Sequence, residues 1–118
     1  MLHSRHVPPI VLRCAFFKAA SGIEPAKEWL RALRKEVRGQ IGSNIAKVQR
    51  MWPVSRPLVG GLGMGLYEVR TAFDKNEYRV FFCIEGSTMI ILHGFQKKTQ
   101  QTPAGELRLA RQRQKDEP

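Results

Sequence analysis

The sequence predicts an α+β protein in which an antiparallel sheet carries helices on one of its faces. Three observations carry that expectation. A short apolar run rich in β-formers opens the chain, two amphipathic helical stripes follow it, and beyond Pro57 the apolar period falls from about four residues to two. Short turns between the period-two segments make them an antiparallel meander, so the expected order is β-α-α-β-β-β-α.

The elements follow from local chemistry. Residues 1–9 are polar with two consecutive prolines and read as a loose leader. Ile10-Val-Leu-Arg-Cys-Ala-Phe-Phe17 is the N-terminal strand. Ser21 and Glu24 have the spacing of a capping box, and Pro25 suits a first helical turn. Trp29, Leu30 and Leu33 then mark the apolar face of a helix ending near Arg34 to Glu36. Val37, Ile41, Ile45, Val48 and Trp52 form the stripe of a second helix, which Pro53 ends. Gly39 and Gly42 weaken its intrinsic propensity by about 1 kcal/mol each relative to Ala, so it depends on packing. The pair reads as a helical hairpin laid on a sheet, with Trp29 and Trp52 in its core.

Leu66–Phe73, Glu77–Ile84 and Thr88–Phe95 are the meander strands, separated by Asp74-Lys75-Asn76 and Glu85-Gly86-Ser87. Thr102-Pro103 supplies an N-cap with Pro at the first position of a C-terminal helix carrying Leu107 and Ala110. Residues 111–118 are polar and are expected to fray. Residues 1–118 are read as a single domain, since the length supports one core rather than two.

The charge is the first functional clue. The chain holds 20 Lys+Arg against 10 Asp+Glu, a net charge of +10. Residues 1–60 carry 11 basic and 3 acidic side chains, and residues 61–118 carry 9 and 7. Such an excess favours a polyanion or an acidic protein partner. No apolar run approaches the roughly 20 residues of a membrane span. Ile10–Phe17 is a poor secretion signal because Arg13 breaks it. Cys14 and Cys83 are too few for a disulfide framework. The expectation is a cytoplasmic protein with no membrane partner.

Several motifs are weaker than they look. Gly60-Gly-Leu-Gly-Met-Gly65 lacks the Lys and Ser/Thr of a P-loop and precedes a strand rather than a helix, so it reads as a flexible approach to the sheet. His3 and His6 have no third ligand nearby. No nucleophile elbow occurs, and no cofactor or metal is implied. The informative feature is the polar side of the meander. Glu68 and Arg70 share one strand face, Tyr67 and Val69 the other; Arg79 faces away from Tyr78 and Val80. Strict alternation places His93 with Met89 and Ile91. Arg70, Arg79, Lys97 and Lys98 are expected to converge on one patch, against the plain alternative of a solvated sheet face.

Gly65-Leu-Tyr-Glu-Val-Arg70, then Glu77-Tyr-Arg-Val-Phe-Phe82, then Leu92-His-Gly-Phe-Gln-Lys-Lys-Thr-Gln-Gln-Thr-Pro103 resembles the RelE/ParE toxin superfamily, in its HigB-like, phage-derived branch. The resemblance spans roughly Ile10 to Arg113 and rests on the ordered triple of motifs. It implies the RelE-like fold and the toxin of a type II toxin–antitoxin module. That toxin is an endoribonuclease (mRNA interferase) that cuts mRNA, mostly on the ribosome. A 2′-OH attacks the adjacent phosphate, leaving a 2′,3′-cyclic phosphate and a 5′-OH. Such chemistry needs no metal; it needs cations around the phosphorane, a base and an acid.

Carried over by position, Arg70 and Arg79 would meet the scissile phosphate, and Lys97 and Lys98 belong to the basic segment after the last strand. Glu68, His93 and Lys98 all remain candidates for the acid and base. RelE itself has lysine in place of Glu68, and a C-terminal tyrosine without counterpart here. Lys97, Lys98, Arg50, Lys47 and Tyr67 are the candidate RNA contacts, although Tyr67, Tyr78 and His93 also suit packed positions. The implied partners are mRNA, the ribosome and a helix-turn-helix antitoxin, with DNA reached only through that antitoxin. Two alternatives stay open: a non-enzymatic ParE-like gyrase inhibitor, and a relative that binds RNA without cutting it. The nuclease reading requires the cations to share one pocket without being neutralised by carboxylates.

Overall fold

The computed structural model describes residues 9–118; His3, His6 and the leader up to residue 8 lie outside them. Eight elements follow in order: β1 (Arg13–Phe16), α1 (Pro25–Ala32), α2 (Lys35–Met51), β2 (Val59–Gly63), β3 (Leu66–Phe73), β4 (Asn76–Glu85), β5 (Thr88–Lys97) and α3 (Ala104–Asp116). The strands form one five-stranded sheet in the order β1-β5-β4-β3-β2. The meander β3-β4-β5 is antiparallel as expected, while β1 pairs parallel to β5 through Arg13↔Thr88 to Phe16↔Ile91.

Two features depart from the expected architecture. The glycine-rich segment is not a loose approach: Val59–Gly63 is an edge strand, antiparallel to β3, with an irregularity between Gly61 and Gly63. Gly60 stands opposite Glu68, and a Cβ there would lie 3.0 Å from Arg70 Nη2 and 3.1 Å from Glu68 Oε2. A side chain at position 60 would have to push the ends of Arg70 and Glu68 aside.

The helices also cover both faces of the sheet. Val37, Ile41, Ile45 and Val48 of α2 pack with Val69, Tyr78, Val80, Phe82, Met89 and Ile91 on one face. Ala110 of α3, with Leu107 beside it, packs with Leu66, Phe81, Cys83, Ile90, Leu92 and Phe95 on the other. The reason lies in β4 and β5: Val80-Phe-Phe-Cys83 and Met89-Ile-Ile-Leu92 are apolar at every position, the pattern of strands buried on both sides.

The helix ends differ from the expected caps. Glu24, not Ser21, is the N-cap of α1, and no side chain closes it. The Ser21 hydroxyl instead accepts from the Ile23 amide at 3.4 Å. Helix α3 starts after Pro103, without a Thr102 cap, and continues to Asp116 rather than fraying at Arg111. Side chains of that last stretch grip backbone carbonyls: Arg111 donates to Leu62 and Gly63 at 2.8 and 2.9 Å, and Gln114 to Met64 at 3.0 Å. Polar anchoring supplements the short apolar face of Leu107 and Ala110.

On the α2 face, the indole of Trp29 lies so close over Gly94 that any Cβ there would overlap it. Asn44, buried in α2, donates to Thr71 Oγ1 at 2.9 Å and so ties helix to sheet behind Arg70. No helix of the described residues is long and apolar enough to cross a membrane.

Candidate nucleic-acid interface

Alternation and register bring the polar residues of the meander together. Leu66 belongs to the α3-side core, so Glu68 and Arg70 share its face; Arg79 lies two residues before Phe81 on the same side. Arg70 pairs across with Arg79, Arg79 with Phe95, and Glu77 with Lys97. Arg70, Arg79 and Lys97 thus converge on one face, at the end of the sheet that α3 leaves open.

Arg79 is part of the wall of an open cleft of about 680 Å3, together with Lys75, Asn76, Glu77, Gln96, Lys97 and Lys98. Among the described residues, the cleft holds four cationic side chains against one carboxylate, Glu77. A smaller groove of about 380 Å3 adjoins it, lined by Pro57, Leu58, Arg70, Ala72 and the shared Glu77 and Arg79.

The two arginines are not bare. Arg70 donates through Nε and Nη2 to Glu68 Oε2 at 3.2 and 3.0 Å. Arg79 donates through Nη1 to Glu77 Oε1 at 3.0 Å and to the Tyr78 carbonyl at 3.1 Å. Glu68 Oε1 lies 3.5 Å from Arg79 Nε, yet these two buried atoms are misaligned and form no hydrogen bond. Their attraction is coulombic only. Glu68 is thus sandwiched between two guanidiniums at 4% exposure, which makes it an anchor rather than a base open to substrate. The expectation of unneutralised cations holds for the lysines and not for the arginines: no carboxylate of the described residues lies within ion-pair distance of Lys75, Lys97 or Lys98.

Glu77 is the movable partner. Its side chain is 49% exposed, whereas that of Arg79 is 9% exposed. An incoming anion can therefore take the Glu77 place on Arg79 while Glu68 holds the guanidinium from behind. Lys97 Nζ donates to the Gln100 carbonyl at 2.8 Å, which orders the chain leaving β5. Lys98 is exposed on the rim.

The remaining candidates fall elsewhere. His93 does not sit with Met89 and Ile91. A register shift opposite Phe81/Phe82 places it across from Phe81, on the α3 side, stacked on Phe95 with ring centroids 5.7 Å apart. His93 Nε2 lies 3.0 Å from Glu106 Oε1 and Nδ1 lies 3.3 Å from Arg113 Nη1. A guanidinium only donates, so Nδ1 accepts and Nε2 carries the proton given to Glu106. Arg113 also donates to the Leu92 carbonyl at 2.8 Å and lies over the Phe17 ring; burial lowers its pKa. His93 thus belongs to the clasp beneath α3 and takes no part in lining the cleft.

Tyr67 packs edge-on to Trp52 and stacks on Phe82 within the opposite core. Lys47 and Arg50 stand on α2, which covers that same opposite face; they do not join Arg79. Burial pushes the Cys14 and Cys83 thiols up to about 11, so neither is a thiolate nucleophile near neutrality. Sequence reasoning missed Glu77 and Lys75. Glu77 was readable only as a strand start, and Lys75 only as a turn residue.

The small, strongly basic α+β protein thus presents a cation-lined cleft at the open end of its sheet. The chain belongs to the family of phage-derived Gp49-like proteins (DUF891), whose family model matches residues 28–115. That family is related to toxin–antitoxin systems, which suggests a toxin-like role and a cognate antitoxin as partner. No curated protein matches the chain.

Proposed function

We propose that this protein is the toxin of a type II toxin–antitoxin module and inhibits translation by cutting mRNA on the ribosome, without a metal. One observation carries the reading: Arg79, fixed in the sheet, opens onto a cleft where cations outnumber carboxylates by four to one. RNA phosphates enter along Lys97 and Lys98, and the scissile phosphate displaces Glu77 from Arg79 Nη1. As the 2′-OH attacks, its proton passes to solvent water, the P–O5′ bond breaks, and negative charge grows on the phosphorane oxygens. Arg79 offers planar paired donors to that charge, and Arg70 adds its field from the adjoining groove.

Of the three acid–base candidates, Glu68 is held by both arginines and His93 by the clasp, which leaves Lys98 at the rim as the proton carrier best placed for the leaving 5′-oxygen. The antitoxin would silence the protein by laying an acidic segment into the same cleft. A second reading, an RNA-binding relative that does not cut, is favoured by the pairing of Arg70 and Arg79 with Glu68 and Glu77.

Induced expression followed by primer extension on cellular messages separates these readings. Growth arrest with new mRNA 5′-ends supports cleavage. Arrest with intact message leaves the RNA binder, and arrest with inhibited gyrase supercoiling overturns the RNA reading altogether.

A further inference from the structure

The β3–β4 connection has only two residues, because Phe73 pairs with Asn76. In the type I′ form of such a loop both residues have positive φ, and the second is normally glycine. Here Asp74 has φ 52° and Lys75 has φ 64°. Aspartate tolerates that region; lysine does so at a steric cost. The β2–β3 hairpin of the same sheet, where Gly63 pairs with Leu66, meets the same demand with glycine at its second position: Met64 has φ 54° and Gly65 has φ 75°.

The two turn residues point to different surroundings. The Asp74 carboxylate lies 3.8 Å from Arg34 Nη2 at the start of α2. Lys75 lines the cleft with Arg79, Lys97 and Lys98, and no carboxylate of the described residues pairs with it. The tip is also held in place. Asn76 Nδ2 donates to the Asp74 carbonyl at 3.2 Å, and Gln96 Nε2 donates to Asn76 Oδ1 at 3.1 Å. A strained residue, fixed at the mouth of a basic cleft and unpaired, is the pattern of a functional contact.

We propose that Lys75 is a phosphate-binding residue of the cleft, gripping a backbone phosphate of single-stranded RNA beyond the one held at Arg79. This rests on the RNA reading above and extends it to a second phosphate. Strain and function then have opposite signs at one position. Lys75→Gly relieves the backbone and removes the cation.

The test uses the full chain and a fluorescein-labelled single-stranded 2′-O-methyl RNA, which binds without offering the nucleophile. Lys75→Gly should raise the melting temperature by about 2–4 °C. It should also weaken binding about fivefold near 0.1 M salt and flatten the slope of log affinity against log salt by about 0.7, the signature of one lost phosphate contact. Lys75→Arg should keep the wild-type slope. Wild-type affinity and slope in Lys75→Gly, with Arg79→Gln abolishing binding, overturn the inference alone. No binding by the wild-type protein overturns the RNA reading and this inference together. Should Lys75→Gly fail to fold, Lys75→Asn, which also suits positive φ, must show the same loss of slope, and an unchanged slope there is equally fatal to the inference.

Discussion

The face of the sheet that carries α3 ends in two polar regions of opposite character. Beneath the helix, His93, Glu106 and Arg113 satisfy one another and the Leu92 carbonyl. At the open end, Lys75, Arg79, Lys97 and Lys98 surround an open cleft with Glu77 as its one carboxylate among the described residues. Both regions draw on β5, and both contain residues that suit acid–base chemistry on paper. The difference is closure. A network whose donors and acceptors are matched internally specifies structure, while an excess of one charge sign facing water awaits a ligand.

Substitutions at the two ends break or sharpen that contrast. The largest effect belongs to Arg79→Gln, which should lower RNA cleavage by about 100-fold or more, as loss of a transition-state donor does. His93→Gln should leave cleavage within about twofold, since the clasp lies away from the reacting phosphate. Assaying the pair side by side on one message checks both; equal losses would merge the two regions into one site.

Glu68→Gln comes next. It uncouples two guanidiniums from a buried carboxylate and should cost about 2 kcal/mol of stability by urea denaturation, while cleavage per folded molecule persists. Lost cleavage with unchanged stability would instead make Glu68 the base. Glu106→Ala removes one contact of the clasp and should cost about 1 kcal/mol, with RNA affinity unaltered. Smallest in stability is Lys98→Ala, within about 0.5 kcal/mol of wild type as an exposed change. It should still weaken RNA binding severalfold, read by the anisotropy of a labelled strand.

Much of the fold was legible because the meander obeys period two and α2 obeys a helical stripe: Leu66–Phe73 is the strand the alternation predicts, and Val37, Ile41, Ile45 and Val48 are all buried. What escaped was non-local. Val59–Gly63 has too few side chains to announce a strand, and only its pairing with β3 defines it. The continuous apolar runs of β4 and β5 announced a second covered face, but α3 shows almost no apolar stripe because Arg111, Arg113 and Gln114 anchor it to backbone carbonyls.

The site was partly legible for the same reason. Alternation and antiparallel pairing brought Arg70, Arg79 and Lys97 to one face. The register shift that turns His93 toward Glu106 left no trace in the residue pattern. Nor do the ion pairs of Glu68 and Glu77, which depend on side chains two residues apart along a strand leaning toward each other.

The most direct measurement is end-group analysis of ribosome-bound mRNA incubated with the purified protein. Cation-assisted attack by the 2′-OH predicts fragments ending in 2′,3′-cyclic phosphate and beginning with 5′-OH. Intact message, or fragments beginning with 5′-phosphate, would contradict it.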